Sequence, residues 1–311
     1  MQQADSAQKT YRGERRTWDY ELVTVSYHSR DQLELMLAGL PIDLPVAVVD
    51  NAAGADRVHE LVADRPNGRY VDSGGGKGFA KAANMGVASS SYEYIVFGNP
   101  DARPNVDILD KLVDDLRTDP SLAQVAATMK GHDNRPEMGN GGWEPTPLRT
   151  LAHVVGAHKV APSVGLFAKP TPGRPMDVDW LTGACLAIKR DTFSELGGFD
   201  ERFFVYNEDM AIGRRIREAG MRQSLRTDLL VPHGAGGSGA PKTWMLQMRG
   251  ASMMRYLRLH NTASKARLMR SILVAGYAGR AGVARVRGND KAVAEHSSYI
   301  KGLLNGPPEL P

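Results

Sequence analysis

The sequence predicts an α/β protein: a mostly parallel sheet flanked by helices, followed by a basic helical C-terminal extension. Three observations predict it. Short apolar runs such as Val46–Asp50 and residues 94–97 and 123–129 alternate with amphipathic stretches of helical period, the pattern of strands buried on both faces and crossed over by helices. Two of those runs lead into carboxylates at their C-terminal ends, Asp50 and Asp101. From residue 242 to 301 the chain carries twelve Lys and Arg against only Asp290 and Glu295.

The elements follow in order. Residues 1–19 are polar and charged and are expected to form a disordered or arm-like tail. Residues 21–27 read as a first strand, with β-branched Val23, Thr24 and Val25. Residues 31–39 fit a helix, with Asp31 near the N-cap and Leu33, Leu35, Met36 and Leu37 supplying apolar surface. Val46–Asp50 is a short buried strand, residues 56–63 a helix and residues 69–71 a strand. The Gly-rich run from Gly74 to Gly78 precedes a helix over Phe79–Ala88, and residues 94–97 return to strand. A helix over 106–117 and a strand over 123–129 continue the alternation. From 131 to 173 Gly, Pro and His are scattered without period, which reads as a long irregular, mobile insertion near the site. Regular structure returns over 178–189 and in a helix over 209–219, and the run Leu229 to His233 closes the core. The remainder from Lys242 is helical and basic, and there is no internal repeat.

Composition bounds the function. A chain of 311 residues, 42% hydrophobic, forms one large domain or two small ones. No segment approaches the ~18 unbroken apolar residues of a membrane span, and the first residues lack the apolar core of a secretion signal. The single cysteine, Cys185, excludes an internal disulfide framework. A cytoplasmic protein is the simplest expectation. The net charge of +4 divides into +10 over residues 242–301 and −6 elsewhere, a mildly acidic body with a basic tail suited to an anionic surface.

Chemistry concentrates in a few places. In an open parallel sheet, ligands bind beyond the carboxyl ends of the strands, so Asp50 and Asp101 belong to one edge. Asn99-Pro100-Asp101 is either a plain turn or a metal turn that offers a carboxylate to a divalent cation, with other oxygens supplied by a diphosphate. Glu208 and Asp209 open a helix, and either cap it or present Asp209 as a general base whose anion the helix N-terminus stabilises. Trp180, Thr182, Gly183 and Ala184 either line a ligand site, where small residues allow close backbone approach, or, for Trp180, supply a core aromatic. Lys77 either approaches donor phosphates or is solvated. The run from Gly74 to Gly78 lacks the G-x-G-x-x-G spacing and follows a third strand, so a dinucleotide loop is rejected. Gly197 to Asp200 reads as a structural turn, with Phe203 and Phe204 in the core.

Together Val25-Ser26-Tyr27, Val48-Val49-Asp50-Asn51, Gly78-Phe79-Ala80 with Asn84 and Gly86, Asn99-Pro100-Asp101, Trp180 to Ala184, Gly197 to Asp200, Glu208-Asp209 and His233 resemble family 2 of the inverting glycosyltransferases, and within it the bacterial rhamnosyltransferase-like members. The resemblance spans roughly residues 20 to 240. It implies a GT-A fold with a catalytic domain over 20–240, divided into a nucleotide-binding half (20–130) and an acceptor half (131–240), before the basic helical extension at 241–311. It implies Asp209 as the catalytic base, and Asp101 and His233 as ligands of Mn or Mg, imidazole favouring Mn. Asp50 would accept from the base imide and Val25, Ser26 and Tyr27 border base or ribose. Lys77, Gly78, Asn84, Asn99 and Asp101 would lie along the donor, and Trp180, Thr182, Gly183, Ala184 and Glu208 around the transferred sugar and acceptor. The chain departs from the family at Asn99, where Asp is commoner, at Gly76, commonly Asn, and at Ala211, often Asp.

The implied activity is metal-dependent, inverting transfer of a sugar, best matched to L-rhamnose from dTDP-rhamnose, onto a glycan or lipid-linked acceptor in cell-envelope polysaccharide synthesis. A UDP- or GDP-hexose donor and a non-catalytic nucleotide-sugar-binding scaffold stay open, as does a homo-oligomer. Few aromatics interleave the basic residues of the tail, which argues against nucleic acid. That tail either packs on the catalytic domain or docks peripherally on anionic lipid, through Leu268, Ile272 and Ala275 and through Trp244, Met245 and Met248.

Overall fold

The computed structural model describes residues 17–234 and 241–309. Most of the expected N-terminal tail (1–16) lies outside the described residues, as does most of the glycine-rich stretch after His233. The main sheet comprises β1 (Tyr20–Ser26), β2 (Val46–Asp50), β3 (Gly68–Asp72), β4 (Tyr94–Gly98), β5 (Leu122–Lys130), β7 (Met176–Asp177), β9 (Cys185–Lys189) and β10 (Arg222–Pro232), in the order β3-β2-β1-β4-β9-β5-β10-β7. Here β9 runs antiparallel between β4 and β5 and β7 antiparallel at one edge; the other pairs are parallel. A separate ribbon pairs β6 (Gly141–Gly142) with β8 (Trp180–Leu181).

Both faces are covered, because β2 and β4 are buried along their whole length. One face packs on α1 (Arg30–Ala38) and α4 (Val106–Thr118), where Leu109, Leu112, Val113 and Leu116 fall at helical spacing on the buried side and Asn105 caps the start by accepting from Ile108 N–H. The other face packs on α3 (Phe79–Ala88), α6 (Arg190–Glu195) and α7 (Glu208–Glu218) through Ala83, Phe193 and Ile212. A third cluster joins Trp180, Phe203 and Met210 to α8 (Lys242–His260), α9 (Ala263–Val286) and α10 (Asp290–Asn305). There Gly250 and Gly302 bring α8 and α10 together; a methyl at Gly302 would sit 1.9 Å from the carbonyl of Gln247.

Most predicted elements are present within a residue or two of their expected ends. Four expectations are corrected. The helix over 56–63 shrinks to α2 (Glu60–Ala63), because Ala53 and Arg57 adopt positive φ and turn the preceding chain. Residues 131–173 are not structureless: they contain β6, α5 (Pro147–Val154) and two 3-10 turns (Ala157–Lys159 and Pro162–Val164). The run 178–189 breaks at Thr182, Gly183 and Ala184 into β8 and β9. Phe204 is only half-buried, whereas Phe203 is in the core.

Candidate active site

The strand directions bring the motifs to one edge. Ser26 and Asp50 are paired at the carboxyl ends of β1 and β2, Gly98 at the end of β4 faces Cys185 at the start of antiparallel β9, and Lys130 faces Pro232 at the ends of β5 and β10. The turn after β4 is tied to its neighbours. Asn99 N–H donates to the Ala184 carbonyl, Ala102 N–H to that of Asn99, and Ala102 bridges to His233.

Asp101 is nearly buried, and His233 Nε2 lies 3.2 Å from its Oδ1. The other ring nitrogen, Nδ1, is 2.9 Å from Glu137 Oε2. The hydrogen-bonding contact to Asp101, with that to Glu137, pushes the imidazole pKa up to about 9 against the effect of burial. Nε2 is buried and has no well-aligned hydrogen bond. A ring with one nitrogen beside the Asp101 carboxylate and the other held by Glu137 is the arrangement of a metal-ligating histidine. Asp101 and His233 therefore fit a divalent cation, although no cluster of three or more His, Cys, Asp or Glu able to hold one occurs among the described residues.

Asp209 is the second residue of α7. Its Oδ1 accepts the Met210 N–H, and burial raises its pKa from 3.8 to about 6, opposed by that hydrogen bond and by the Arg249 charge. Glu208 is 6% exposed with Oε2 unpartnered; burial first, then the charge of Asp209, pushes it well above the usual carboxylate range. Both carboxyl groups at the start of α7 are thus pushed above the usual carboxylate range. Just before them Tyr206 and Asn207 both take left-handed φ, +68° and +66°, a strained conformation for a bulky residue. The preceding loop is pinned to the Gly-rich segment, since Phe79 N–H donates to the Phe204 carbonyl. Gly78, at φ +76°, abuts that carbonyl so closely that a methyl would lie 2.2 Å from it.

Residues 33–167 match the family model described as glycosyl transferase family 2. That segment carries a glycosyl transferase family 2 domain. The chain is 27% identical over 230 residues to N-acetylglucosaminyl-diphospho-decaprenol L-rhamnosyltransferase of Mycobacterium tuberculosis, covering 64% of this chain and 70% of that one. It is 24% identical over 203 residues to the low-salt glycan biosynthesis hexosyltransferase Agl10 of Haloferax volcanii, covering 64% and 62%. Among solved structures it resembles the mannosyltransferase PcManGT of Pyrobaculum calidifontis in complex with GDP-Man and Mn²⁺, with TM-score 0.55, 19% identity and coverage of 92% and 87%. It also resembles GalNAc-T7 with UDP, GalNAc and Mn²⁺, with TM-score 0.53, 13% identity and coverage of 81% of this chain but about half, 54%, of the other. The sheet order and flanking helices are those of the GT-A fold.

Within this glycosyltransferase, the segments carrying Asp101, Gly183, Gly78 and Asp209 meet through the contacts above, and Gly183 lies against the Phe79 ring. Ser26 is buried with its hydroxyl 3.0 Å from that of Ser29, Val25 packs partly into the core, and Tyr27 stands edge-on to His28. Lys77 is exposed beside Gly74. The packing gives three of the expected site residues structural contacts. Asp50 is fully buried and accepts from the Ala52 and Gly54 N–H groups and the Tyr70 hydroxyl, so it also shapes the loop after β2. Asn84 clamps the Gly197 to Asp200 turn by exchanging hydrogen bonds with Phe199. Trp180 is a core aromatic, edge-on to Phe167 and against Gly213.

Three contributors escaped the sequence reading. Glu137 orients His233, and Asn140 holds its loop by bonding Met129 and the Glu137 carbonyl. Arg249, from the first helix of the basic tail, lies 4.6 Å from the Tyr206 ring centroid and lowers the Asp209 pKa. Only the helical period and basic residues of 242–260 hinted at the last; nothing local marked the first two.

Proposed function

We propose that this glycosyltransferase moves L-rhamnose from a dTDP-linked donor to a lipid-linked glycan acceptor, inverting the anomeric centre. The observation that carries the reading is Asp209, a half-buried carboxylate whose pKa is raised to about 6, at the start of α7, whose preceding loop is pinned to the Gly-rich segment. The sugar and acceptor are supported by the mycobacterial relative, whose name specifies a diphospho-decaprenol rhamnosyl transfer. A UDP- or GDP-hexose donor is the second reading, favoured by the nucleotides bound in the solved neighbours. Residues 20–130 would hold the nucleotide and 131–240 the acceptor, with 241–311 as the helical extension.

In this reading Asp209 takes the proton of the acceptor hydroxyl as its oxygen attacks the anomeric carbon in line with the departing diphosphate. Glu208, kept neutral beside it, avoids placing a second negative charge against the incoming oxygen. Arg249 sits where it can offset acceptor phosphate charge. Asp101 and His233 would hold Mn²⁺ or Mg²⁺, with Glu137 fixing the ring, and the cation would neutralise charge on the leaving diphosphate. The backbone of Thr182 to Ala184 and Gly78 would border the sugar. The test is nuclear magnetic resonance of the product formed from dTDP-L-rhamnose and a GlcNAc-diphospho-lipid. The account expects the anomeric configuration opposite to that of the donor; retention would exclude single displacement with Asp209 as base.

A further inference from the structure

We infer that the face built by α5, the two 3-10 turns after it and the C-terminal half of α9 docks on an anionic phospholipid surface. This rests, for its purpose, on the reading of the acceptor as lipid-linked.

The face is apolar where water should favour polar groups. Leu148, Leu151, Val155 and Val160 are between 46% and 88% exposed, and on α9 Val283 and Val286 are 52% and 88% exposed. Singly exposed apolar side chains are ordinary; a cluster of them marks an interaction surface. The two rows belong together. Val154 packs on Gly276, the Arg280 guanidinium donates to the carbonyls of His153 and Val154, and a groove of ≈ 570 Å³ lined by Val154, Gly276, Val283, Arg287, Ala292 and His296 runs between α5, α9 and the start of α10.

Charge selects the occupant. No Asp or Glu occurs from residue 145 to 176 or from 263 to 289, while those segments hold Arg149, Lys159, Lys169 and Arg174, and six Lys and Arg on and just after α9. A second copy meeting this face symmetrically would set like charges against each other. An anionic bilayer instead attracts the basic residues and accepts the apolar ones at its headgroup boundary.

The surface differs from the two stripes expected from sequence. Met248 is buried, and the indole N–H of the half-buried Trp244 donates to the Glu309 carbonyl. On α9, Met269 and Leu273 point inward, Leu268 and Ala275 are exposed and Ile272 is half-buried. The new face also connects to the catalytic end. Glu144, shortly before α5, accepts from the Tyr256 hydroxyl and pairs with Arg214 and Arg217 of α7, the helix that carries Asp209. Docking by α5 would therefore set the acceptor half against the lipid that bears the acceptor.

The experiment is co-sedimentation of the full chain with phosphatidylglycerol-containing vesicles and with phosphatidylcholine vesicles, without donor or acceptor. Binding should require phosphatidylglycerol and weaken with salt. It should fall at least about tenfold both in Val155→Glu/Val160→Glu and in Arg285→Glu/Arg287→Glu, with circular dichroism and nucleotide-sugar binding unchanged. Absence of sedimentation at low salt, or wild-type sedimentation by both variants, overturns the inference. So does a shift from dimer to monomer in light scattering of Val155→Glu/Val160→Glu when the wild type ignores vesicles, since the face would then be a self-association surface. None of these outcomes touches the assignment of Asp209, which is read from transfer alone.

Discussion

Replacing Asp209 by Asn should abolish transfer and at the same time make the protein more stable. Burial at the start of α7 raises the Asp209 pKa from 3.8 to about 6. Because the folded value lies above the unfolded one, the folded chain keeps its proton longer as pH rises. Stability is then lost between about pH 4 and pH 6 and stays lower at alkaline pH. A rise from 3.8 to about 6 corresponds to roughly 3 kcal/mol of differential interaction above that window, and near pH 4 less than about 1 kcal/mol remains. Asn cannot ionise, yet its side-chain oxygen can still accept the Met210 N–H. Asp209→Asn should therefore melt roughly 5 °C higher than wild type at pH 8 and hardly differ at pH 4. Its turnover should fall about a hundred- to ten-thousand-fold, with nucleotide-sugar binding kept. Thermal melts at the two pH values and a transfer assay read both effects. A melting temperature at pH 8 equal to or below wild type would refute the burial argument, and wild-type turnover by the folded variant would refute the base.

Arg249 holds the Asp209 pKa down, so Arg249→Ala should move the rising limb of the kcat/KM profile to higher pH; an unmoved limb would show that the tail helix does not act on the base. The His233 proton, held to about pH 9 by Asp101 and Glu137, must leave before a cation can bind the ring. Mn²⁺ affinity measured by calorimetry should therefore climb as pH rises towards 9, and climb less steeply in Glu137→Gln. A flat profile in the wild type would remove His233 from the ligand set. Gly78→Ala combines a left-handed φ with a methyl driven against the Phe204 carbonyl and should cost at least about 2 kcal/mol in denaturant melts; a neutral result would mean that the loop before Asp209 moves freely from the Gly-rich segment.

The regular part of the fold was legible because its signals are local. The runs at 46–50 and 94–98 are apolar throughout and are buried throughout, and the period of 106–118 points its leucines into the core. Helix α5 escaped although Thr146 and Pro147 form a standard cap and first turn. Its Leu148 and Leu151 face solvent, so the apolar pattern did not resemble a core-facing helix. The Asp101 turn and the Glu208-Asp209 pair were visible as acids at a strand end and a helix start. What their neighbours do was not, because it depends on contacts between distant segments. Asp50 was visible as an acid at a strand end, but the loop after it folds back and Tyr70 reaches across from β3 to bond its carboxylate. Asn84 and Phe199 are 115 residues apart, and Glu137 and His233 are 96 apart; no spacing rule connects either pair. The charge of the tail leaves packing and lipid docking both open; in the structure Ser252 bonds the Val205 carbonyl and Arg249 covers Tyr206, so α8 buttresses the strained approach to Asp209.

The central claim is a cation-assisted nucleotide-sugar site at the edge formed by Asp101 and His233. Calorimetric titration of the wild type and Asp101→Ala with dTDP-rhamnose, UDP-hexoses and GDP-mannose, with Mn²⁺ and after chelation, tests it most directly. The account predicts that dTDP-rhamnose binds the wild type most tightly, only with the cation, and that Asp101→Ala loses the cation-dependent part while remaining folded. Equal binding before and after chelation, or by wild type and variant alike, would contradict it.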